Sequence, residues 1–318
     1  MLSKILDLIK ENDIITIFRH EMADGDAFGS QCGLASWLKM TFSDKEIYCL
    51  GEIDAENLEL FCPMDQIDDQ KIKASLAIVL DTANRPRIDD KRFALAKSIV
   101  KIDHHIEVDD YGDTKYVDTN KSSTCELIAD VINKYQDITT IDQKTANFLY
   151  MGLLTDTNRF STTNTSAGTL SMASKLAQTG IDVADLSYQI FKKNKNYFTL
   201  ASFVRTQAVF EQEGTLAYVY VTKKIMNDYN VPYIVAKDLI NEFNNVEGLL
   251  VWVLFIEDEK HDIGFFSGSL RSRKPIVNDI AANFGGGGHL HAAGTKGLTI
   301  DDTKRLLEML KNRIKEQK

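Results

Sequence analysis

This chain of 318 residues is poor in thiols, in long apolar runs and in positive charge, and each shortage excludes a class of protein. Its four cysteines, Cys32, Cys49, Cys62 and Cys125, form no C-x-x-C pair and lie far apart. That spacing argues against a zinc site or a disulfide framework and for reduced thiols in the core. Runs such as Leu249 to Ile256 fall far short of the roughly 20 apolar residues of a membrane span. Met1-Leu2-Ser3-Lys4 opens an amphipathic helix, not a signal peptide, so a cytoplasmic protein without membrane association is expected. Net charge is −9, which offers no track for long nucleic acid, because sequence-independent binding rests on many Lys and Arg contacts to phosphate. A short nucleotide substrate stays open. No internal repeat or low-complexity tract is present.

What remains is the profile of a soluble globular protein, 44% apolar and 26% charged, with a length suited to two domains. From Ser3 to about Gln189 short apolar runs alternate with helical patterns. Ile14 to Phe18, Glu46 to Leu50, Leu76 to Leu80 and Ser98 to Ile102 have strand length, and Ala27 to Met40, Ser123 to Lys134, Asp142 to Leu154 and Ser166 to Gln178 have helical spacing. Such alternation predicts an α/β fold with a doubly wound, mainly parallel sheet over residues 1–190. Asp142 is placed as a helix N-cap, and Gly180 as a stop. The pattern lapses around Lys192-Lys193-Asn194-Lys195-Asn196, and residues 191–207 read as a linker region with a helix running through Phe203. Strands at Leu216 to Val221, Leu249 to Ile256 and Ile263 to Leu270 follow, with helices near Val235 to Phe243, Val277 to Phe284 and Asp302 to Lys315. They predict a smaller α/β domain with a mixed sheet over residues 208–318.

Acids and imidazoles gather just past the apolar segments of the first domain. Ile14 to Phe18 leads into His20-Glu21-Met22-Ala23-Asp24-Gly25-Asp26, Leu76 to Leu80 into Asp81, Ser98 to Ile102 into Asp103-His104-His105, and Phe148 to Leu154 into Asp156. Taken singly, each acid is equally a turn or helix-cap residue. The histidines tip the balance: His20, His104, His105, His289 and His291 all lie in dense polar or glycine-rich motifs, and only His261 sits in an ordinary charged turn. Ligands of open α/β sheets collect at the carboxyl ends of the strands, where these side chains would converge. Two carboxylates in Asp24-Gly25-Asp26 can serve two adjacent cations while Asp81 bridges them. Carboxylate and imidazole donors without thiolate favour Mn²⁺, with Co²⁺ or Mg²⁺ next. Two such ions about 3.5–4 Å apart are the usual apparatus of phosphoester hydrolysis.

The second domain carries Gly285-Gly286-Gly287-Gly288-His289-Leu290-His291-Ala292-Ala293-Gly294. Linker glycines keep company with serine, so glycines approached closely by a bound phosphate or base explain the run better than a flexible joint. Upstream, Arg271 ends a strand with a guanidinium suited to phosphate.

The ordered series His20-x3-Asp24-x-Asp26, Asp81, Asp103-His104-His105 and Asp156 resembles the DHH phosphoesterase superfamily, and Gly286-Gly287-Gly288-His289 with Ala292-Ala293-Gly294 resembles its DHH-associated C-terminal domain. Ser30-Gln31-Cys32-Gly33-Leu34, Asp81-Thr82-Ala83-Asn84 and Asp156-Thr157-Asn158-Arg159-Phe160 are similar to the bacterial nano-RNase/pAp phosphatase (NrnA-like) group. The resemblance implies that His20 and Asp24 bind one metal, Asp26 and His104 the other, with Asp81 bridging and Asp156 completing the shell. It further implies His105 near the scissile phosphate, Asp103 supporting the imidazoles, and Arg271, Gly288 and His289 holding the far end of the substrate. Ala23 stands where the first motif commonly has proline, which loosens that loop and removes no ligand. The expected activity is manganese-dependent hydrolysis of very short RNA oligonucleotides and linear dinucleotides such as pApA, together with pAp. A dedicated cyclic-dinucleotide-pathway phosphodiesterase and a non-enzymatic nucleotide-binding regulator are the alternatives. A homodimer is compatible with the sequence. Ser272-Arg273-Lys274 spells a motif of the manganese pyrophosphatases, but the glycine-rich histidine element sets this chain apart from them.

Overall fold

The computed structural model describes residues 1–53, 60–258 and 264–316. The chain divides into two compact units, Met1–Phe191 and Lys192–Lys318.

In the first unit, helix α1 (Leu2–Glu11) turns Ile5, Leu6 and Ile9 inward and is followed by β1 (Ile14–Phe18), α2 (Gly25–Thr41) and β2 (Glu46–Cys49). Next come α3 (Asp69–Ala74), β3 (Leu76–Leu80), β4 (Ser98–Asp103) and β5 (Thr114–Val117). Helices α4 (Thr124–Tyr135), α5 (Gln143–Asp156), α6 (Ala167–Ala177) and α7 (Val183–Phe191) complete the unit. All four strand pairings are parallel, in the order β2-β1-β3-β4-β5. Alternation along the strands explains why both faces are covered. Ile15, Ile17, Leu76, Ile78, Leu80, Val100 and Ile102 enter one core with residues of α1, α2, α4 and α5, whereas Phe18, Ala77 and Val79 join Ile72, Ile88, Phe93 and Tyr111 on the other. The doubly wound parallel sheet is therefore as expected. Asp142 caps α5 by accepting from the Thr145 N–H at 2.7 Å.

The second unit starts at Lys192. Residues 195–207, inside the segment assigned to a linker, form helix α8 (Lys195–Gln207), and Tyr197, Leu200, Ala201 and Val204 are buried in that unit's own core. The helix expected through Phe203 thus runs on to Gln207, with Asn194 as its cap and Lys195 in its exposed first turn. After it come β6 (Val209–Glu211), β7 (Leu216–Val221), α9 (Lys223–Asp228), α10 (Tyr233–Ala236) and β8 (Val251–Glu257). The unit closes with β9 (Phe266–Ser272), α11 (Asn278–Ala282), β10 (Gly287–His289), β11 (Ala292–Leu298) and α12 (Ile300–Glu316). Its sheet runs β10-β11-β9-β8-β7-β6 and is mixed, β7 with β8 parallel and the other pairs antiparallel. The charged turn expected at His261 and the first residue of the strand expected from Ile263 lie outside the described residues.

One expectation fails. Cys32 and Cys62 are joined as a disulfide, with Cα atoms 5.6 Å apart; only Cys49 and Cys125 are free thiols. Thirty residues separate the pair in sequence, and the return of the chain from β2 onto α2 is what makes them neighbours, a contact no local spacing reveals. Among the described residues no helix is long and apolar enough to cross a membrane.

Candidate metal centre

The position of β1 between β2 and β3 creates a switch in strand order, the place where open α/β sheets form a crevice. His20 follows β1, Asp81 follows β3, and Asp103 ends β4 with His104 and His105 just beyond. Asp24 is the N-cap of α2, its Oδ1 accepting from the N–H groups of Asp26 and Ala27 at 3.1 Å each, so the cap reading of this acid holds and its carboxylate still faces the crevice beside His20. Asp156 comes from the last turn of helix α5, not from a strand end. It reaches the crevice because α2 and α5 approach closely through glycines. A Cβ on Gly29 would lie 2.5 Å from the Phe148 carbonyl, and one on Gly33 2.7 Å from the Leu149 side chain.

The six expected ligands are brought together around Asp81. Its Oδ2 lies 3.4 Å from His20 Nε2, and its Oδ1 lies 3.6 Å from His104 Nε2 and 3.4 Å from His105 Nδ1. Each oxygen thus faces a different imidazole. His20 Nε2 is also 3.9 Å from Asp24 Oδ1, and His104 Nε2 is 3.9 Å from Asp26 Oδ2 and 3.0 Å from Asp156 Oδ2. His20, Asp24 and Asp81 form one group able to hold a cation, and Asp26, His104 and Asp156 another. The backbone carbonyl of Glu21, 2.8 Å from His20 Nδ1, accepts a hydrogen bond from that nitrogen and leaves Nε2 to face the acids.

Asp81 is buried and has a φ of 52°, a left-handed conformation that Asp tolerates better than most residues and that turns its carboxylate off the strand line. Sequence reading missed the residue that steadies it: the Thr124 hydroxyl donates to Asp81 Oδ1 at 3.1 Å. The N–H groups of Thr124 and Cys125 donate to Asp26 Oδ2 and Oδ1 at 2.6 and 2.9 Å, so the Asp26 carboxyl is seated on the N-terminus of α4. The hydroxyl run Ser122-Ser123-Thr124 at a helix start was the available signal.

Burial, with the neighbouring charge of Asp156, pushes the Asp26 carboxyl up to about 7. Burial and the charges of Asp26 and Asp24 push Asp81 well above the usual carboxylate range. Burial lowers the His20 imidazole. For His104 burial acts downward, but the hydrogen bond to Asp156 and the charges of Asp26 and Asp156 win, and it rises to about 9. Carboxylates crowded in a buried spot resist ionisation unless cations join them, so this donor set fits divalent metal. No thiol belongs to it, since the Cys125 Sγ faces main-chain oxygens of Asp26 and Phe148.

His105 shares a third such group with Asp81 and His104, and Asp103 stands beside it. Asp103 Oδ1 accepts from the His105 backbone N–H at 3.1 Å and meets His105 Nδ1 at 2.8 Å. Burial would raise the Asp103 carboxyl, but His105 and then Lys101 hold it below the ordinary range. Its Oδ1 fixes the proton on Nδ1 and leaves Nε2 of His105 available.

In the second unit, Arg271 on β9 pairs with Ala292 on β11, which pairs with His289 on β10, so the three residues lie on one face of the sheet. Burial lowers the Arg271 pKa; its guanidinium donates to the Leu270 carbonyl and has no acidic partner among the described residues. The glycine run leads into β10, one arm of a tight hairpin that turns at Leu290 and His291. Gly286 has no room for a Cβ against the Gly294 carbonyl, and at Gly288, with φ of 137°, one would lie 2.5 Å from the Ala292 carbonyl. Close packing against β11 accounts for these two, whereas Gly287 has open space beside it.

Residues 14–153 match the DHH family, N-terminal domain, and residues 213–316 the DHHA1 domain. Along 318 residues, 99% of each chain, the protein is 32% identical to the bifunctional oligoribonuclease and PAP phosphatase NrnA of Bacillus subtilis (strain 168). It is 33% identical over 311 residues, 98% of each chain, to the probable bifunctional oligoribonuclease and PAP phosphatase NrnA of Streptococcus mutans serotype c. In fold it is similar to the crystal structure of an exopolyphosphatase-related protein from Bacteroides fragilis, with a TM-score of 0.88 at 23% identity, covering 100% of this chain and 97% of that one.

Proposed function

The chain belongs to the DHH family and carries a DHHA1 domain, and from that premise we propose that it is a manganese-dependent phosphodiesterase of very short RNA. Its substrates would be oligonucleotides of two to a few residues, pApA among them, cut to nucleoside 5′-monophosphates, and pAp, from which the 3′-phosphate is removed. The full-length similarity to proteins named oligoribonuclease and PAP phosphatase supports this reading. A cytoplasmic location is part of it. The observation that carries it furthest is the split of Asp81, one oxygen toward His20 and the other toward His104.

His20, Asp24 and Asp81 Oδ2 would hold one ion, and Asp26, His104, Asp156 and Asp81 Oδ1 the other. Bound there, two divalent cations supply an activated water and the positive charge that offsets the phosphate. Oxygen and imidazole donors without thiolate support manganese. Asp103 holds the His105 proton at Nδ1, so that Nε2 can exchange a proton at the reacting phosphate. Arg271, Gly288 and His289 are assigned to the substrate away from the reacting phosphorus. Gly288 has the weakest independent support, because hairpin packing already requires it.

Purified protein offered pAp, pApA, cyclic di-AMP, a five-mer RNA, a long single-stranded DNA and pyrophosphate in parallel, each with Mn²⁺, Co²⁺ or Mg²⁺, tests the proposal. Turnover of pApA, the five-mer and pAp is expected, fastest with Mn²⁺. Preference for cyclic di-AMP would move the assignment to a cyclic-dinucleotide enzyme, and nucleotide binding without hydrolysis to a regulator.

A further inference from the structure

Strand β4 puts Ile99, Lys101 and Asp103 on one face of the sheet, the face that meets Phe18, Val79 and Tyr111. Lys101 is completely buried there. A lysine in such surroundings is costly unless its ammonium is paired and hydrogen-bonded. Its Nζ lies 3.5 Å from Asp103 Oδ2, donates to the Ala83 carbonyl at 3.1 Å and sits 4.4 Å from the centre of the Tyr111 ring. Tyr111 in turn donates its hydroxyl to the Thr82 carbonyl at 2.5 Å. Lys101 therefore touches both segments that carry the chemistry, the one after Asp81 and the one that begins at Asp103.

The two oxygens of Asp103 have different tasks. Oδ1 takes the backbone and ring N–H groups of His105, while Oδ2 is buried, accepts no hydrogen bond among the described residues and has the Lys101 ammonium as its charge partner. Without that ammonium, nothing in the structure would hold Oδ2 in place, and the carboxylate would be free to rotate Oδ2 toward the imidazole. That rotation loosens the hold on His105 Nδ1.

We propose that Lys101 is a positioning residue of this site, acting through Asp103 to fix the orientation and tautomer of His105 without touching substrate or metal. The proposal rests on the phosphodiesterase reading above. A merely structural lysine, tying down the Ala83 carbonyl, would affect stability and all kinetic backgrounds alike.

The test is a double-mutant cycle on the full chain with Mn²⁺ bound and pApA as substrate. Lys101→Met should lower kcat tenfold or more with KM and bound manganese unchanged, and Lys101→Arg should restore part of the loss. In a His105→Ala background, Lys101→Met should cost less than a further twofold, because the residue it acts through is gone. Equal fold losses in both backgrounds, loss of manganese, or wild-type kcat in Lys101→Met would overturn the proposal. Lys101→Gln, which keeps a donor for Ala83 without the charge, replaces Lys101→Met if that chain does not fold, with the same expected outcomes. ¹⁵N spectra of the histidine rings give a readout independent of turnover. His105 should carry its proton on Nδ1 in the wild type and Lys101→Arg, and show mixed tautomers once the charge is removed. An unchanged ring in a folded, charge-free variant would refute the proposal. A wild type inactive on every substrate would instead sink the functional reading, with the spectra still deciding this one.

Discussion

Gly152, in the middle of α5, is where packing and chemistry meet most tightly. A Cβ there would lie 2.5 Å from Asp26 Oδ1 and 2.8 Å from Cys125 Cβ, and closer still to Cys125 Sγ. Replacing a mid-helix glycine by alanine would by itself stabilise by about 0.8–1 kcal/mol. Forcing a methyl into a filled core costs about 1–3 kcal/mol, so the net loss for Gly152→Ala is roughly 0–2 kcal/mol. For a unit of this size that is at most about 8 °C in Tm. The effect on activity should be much larger. Asp26 Oδ1 is held at 2.9 Å by the Cys125 N–H, so restoring an ordinary contact of 3.4 Å moves the carboxylate by most of an ångström or shifts the start of α4. A displacement of that size at a reacting centre is worth about 100-fold. Gly152→Ala should thus fold, melt within a few degrees of wild type and lose manganese affinity or kcat by one to two orders of magnitude. Calorimetric melting, manganese titration and pApA kinetics on one preparation measure all three. Cys125→Ala in the same chain removes the nearest clashing atom and should recover part of the loss. Wild-type metal affinity and turnover in Gly152→Ala would refute the claim that Asp26 is held by this packing.

His105→Ala should keep near-normal manganese per chain and turn over slowly, whereas His104→Ala should lose metal; elemental analysis separates them, and loss of metal from the first variant would refute the division of roles. Arg271→Ala should impair pApA hydrolysis strongly and spare slow hydrolysis of bis-p-nitrophenyl phosphate; equal loss on both would place Arg271 in the catalytic centre or the fold, and rapid degradation of a thirty-mer would contradict the short-substrate reading. In metal-free protein, Asp26 raised to about 7 and His104 raised to about 9 both bind protons more tightly folded than unfolded, so their contributions are lost as pH rises through those values. The rise in Tm on adding manganese should therefore grow between pH 5 and 9, and a pH-independent increment would argue against cation binding at these groups.

The central strands were legible because burial on both faces demands continuous apolar runs, as in Leu76 to Leu80. Three other strands were not. Thr114–Val117 is only partly buried, and β10 and β11, rich in glycine and alanine, owe their place to the pairing of β11 with β9 and of β10 with β11 more than to any side-chain pattern. The gathering of these side chains was legible because acids and histidines stood just past apolar segments, a position set by the topology. Its support was hidden. Thr124 meets Asp81 across 43 residues, Cys125 meets Asp26 across 99, and nothing in the segment Ser98 to Ile102 marks its lysine as the charge partner of Asp103.

If Asp81 joins two cations, their spins must be coupled. Electron paramagnetic resonance during titration with Mn²⁺ reads this directly, since two manganese ions sharing a carboxylate give an exchange-coupled spectrum and isolated ions the six-line pattern. Wild type should saturate at two ions per chain with the coupled spectrum, and Asp81→Ala should lose it. Saturation at a single six-line ion in wild type, or a coupled spectrum that survives Asp81→Ala, would contradict the account.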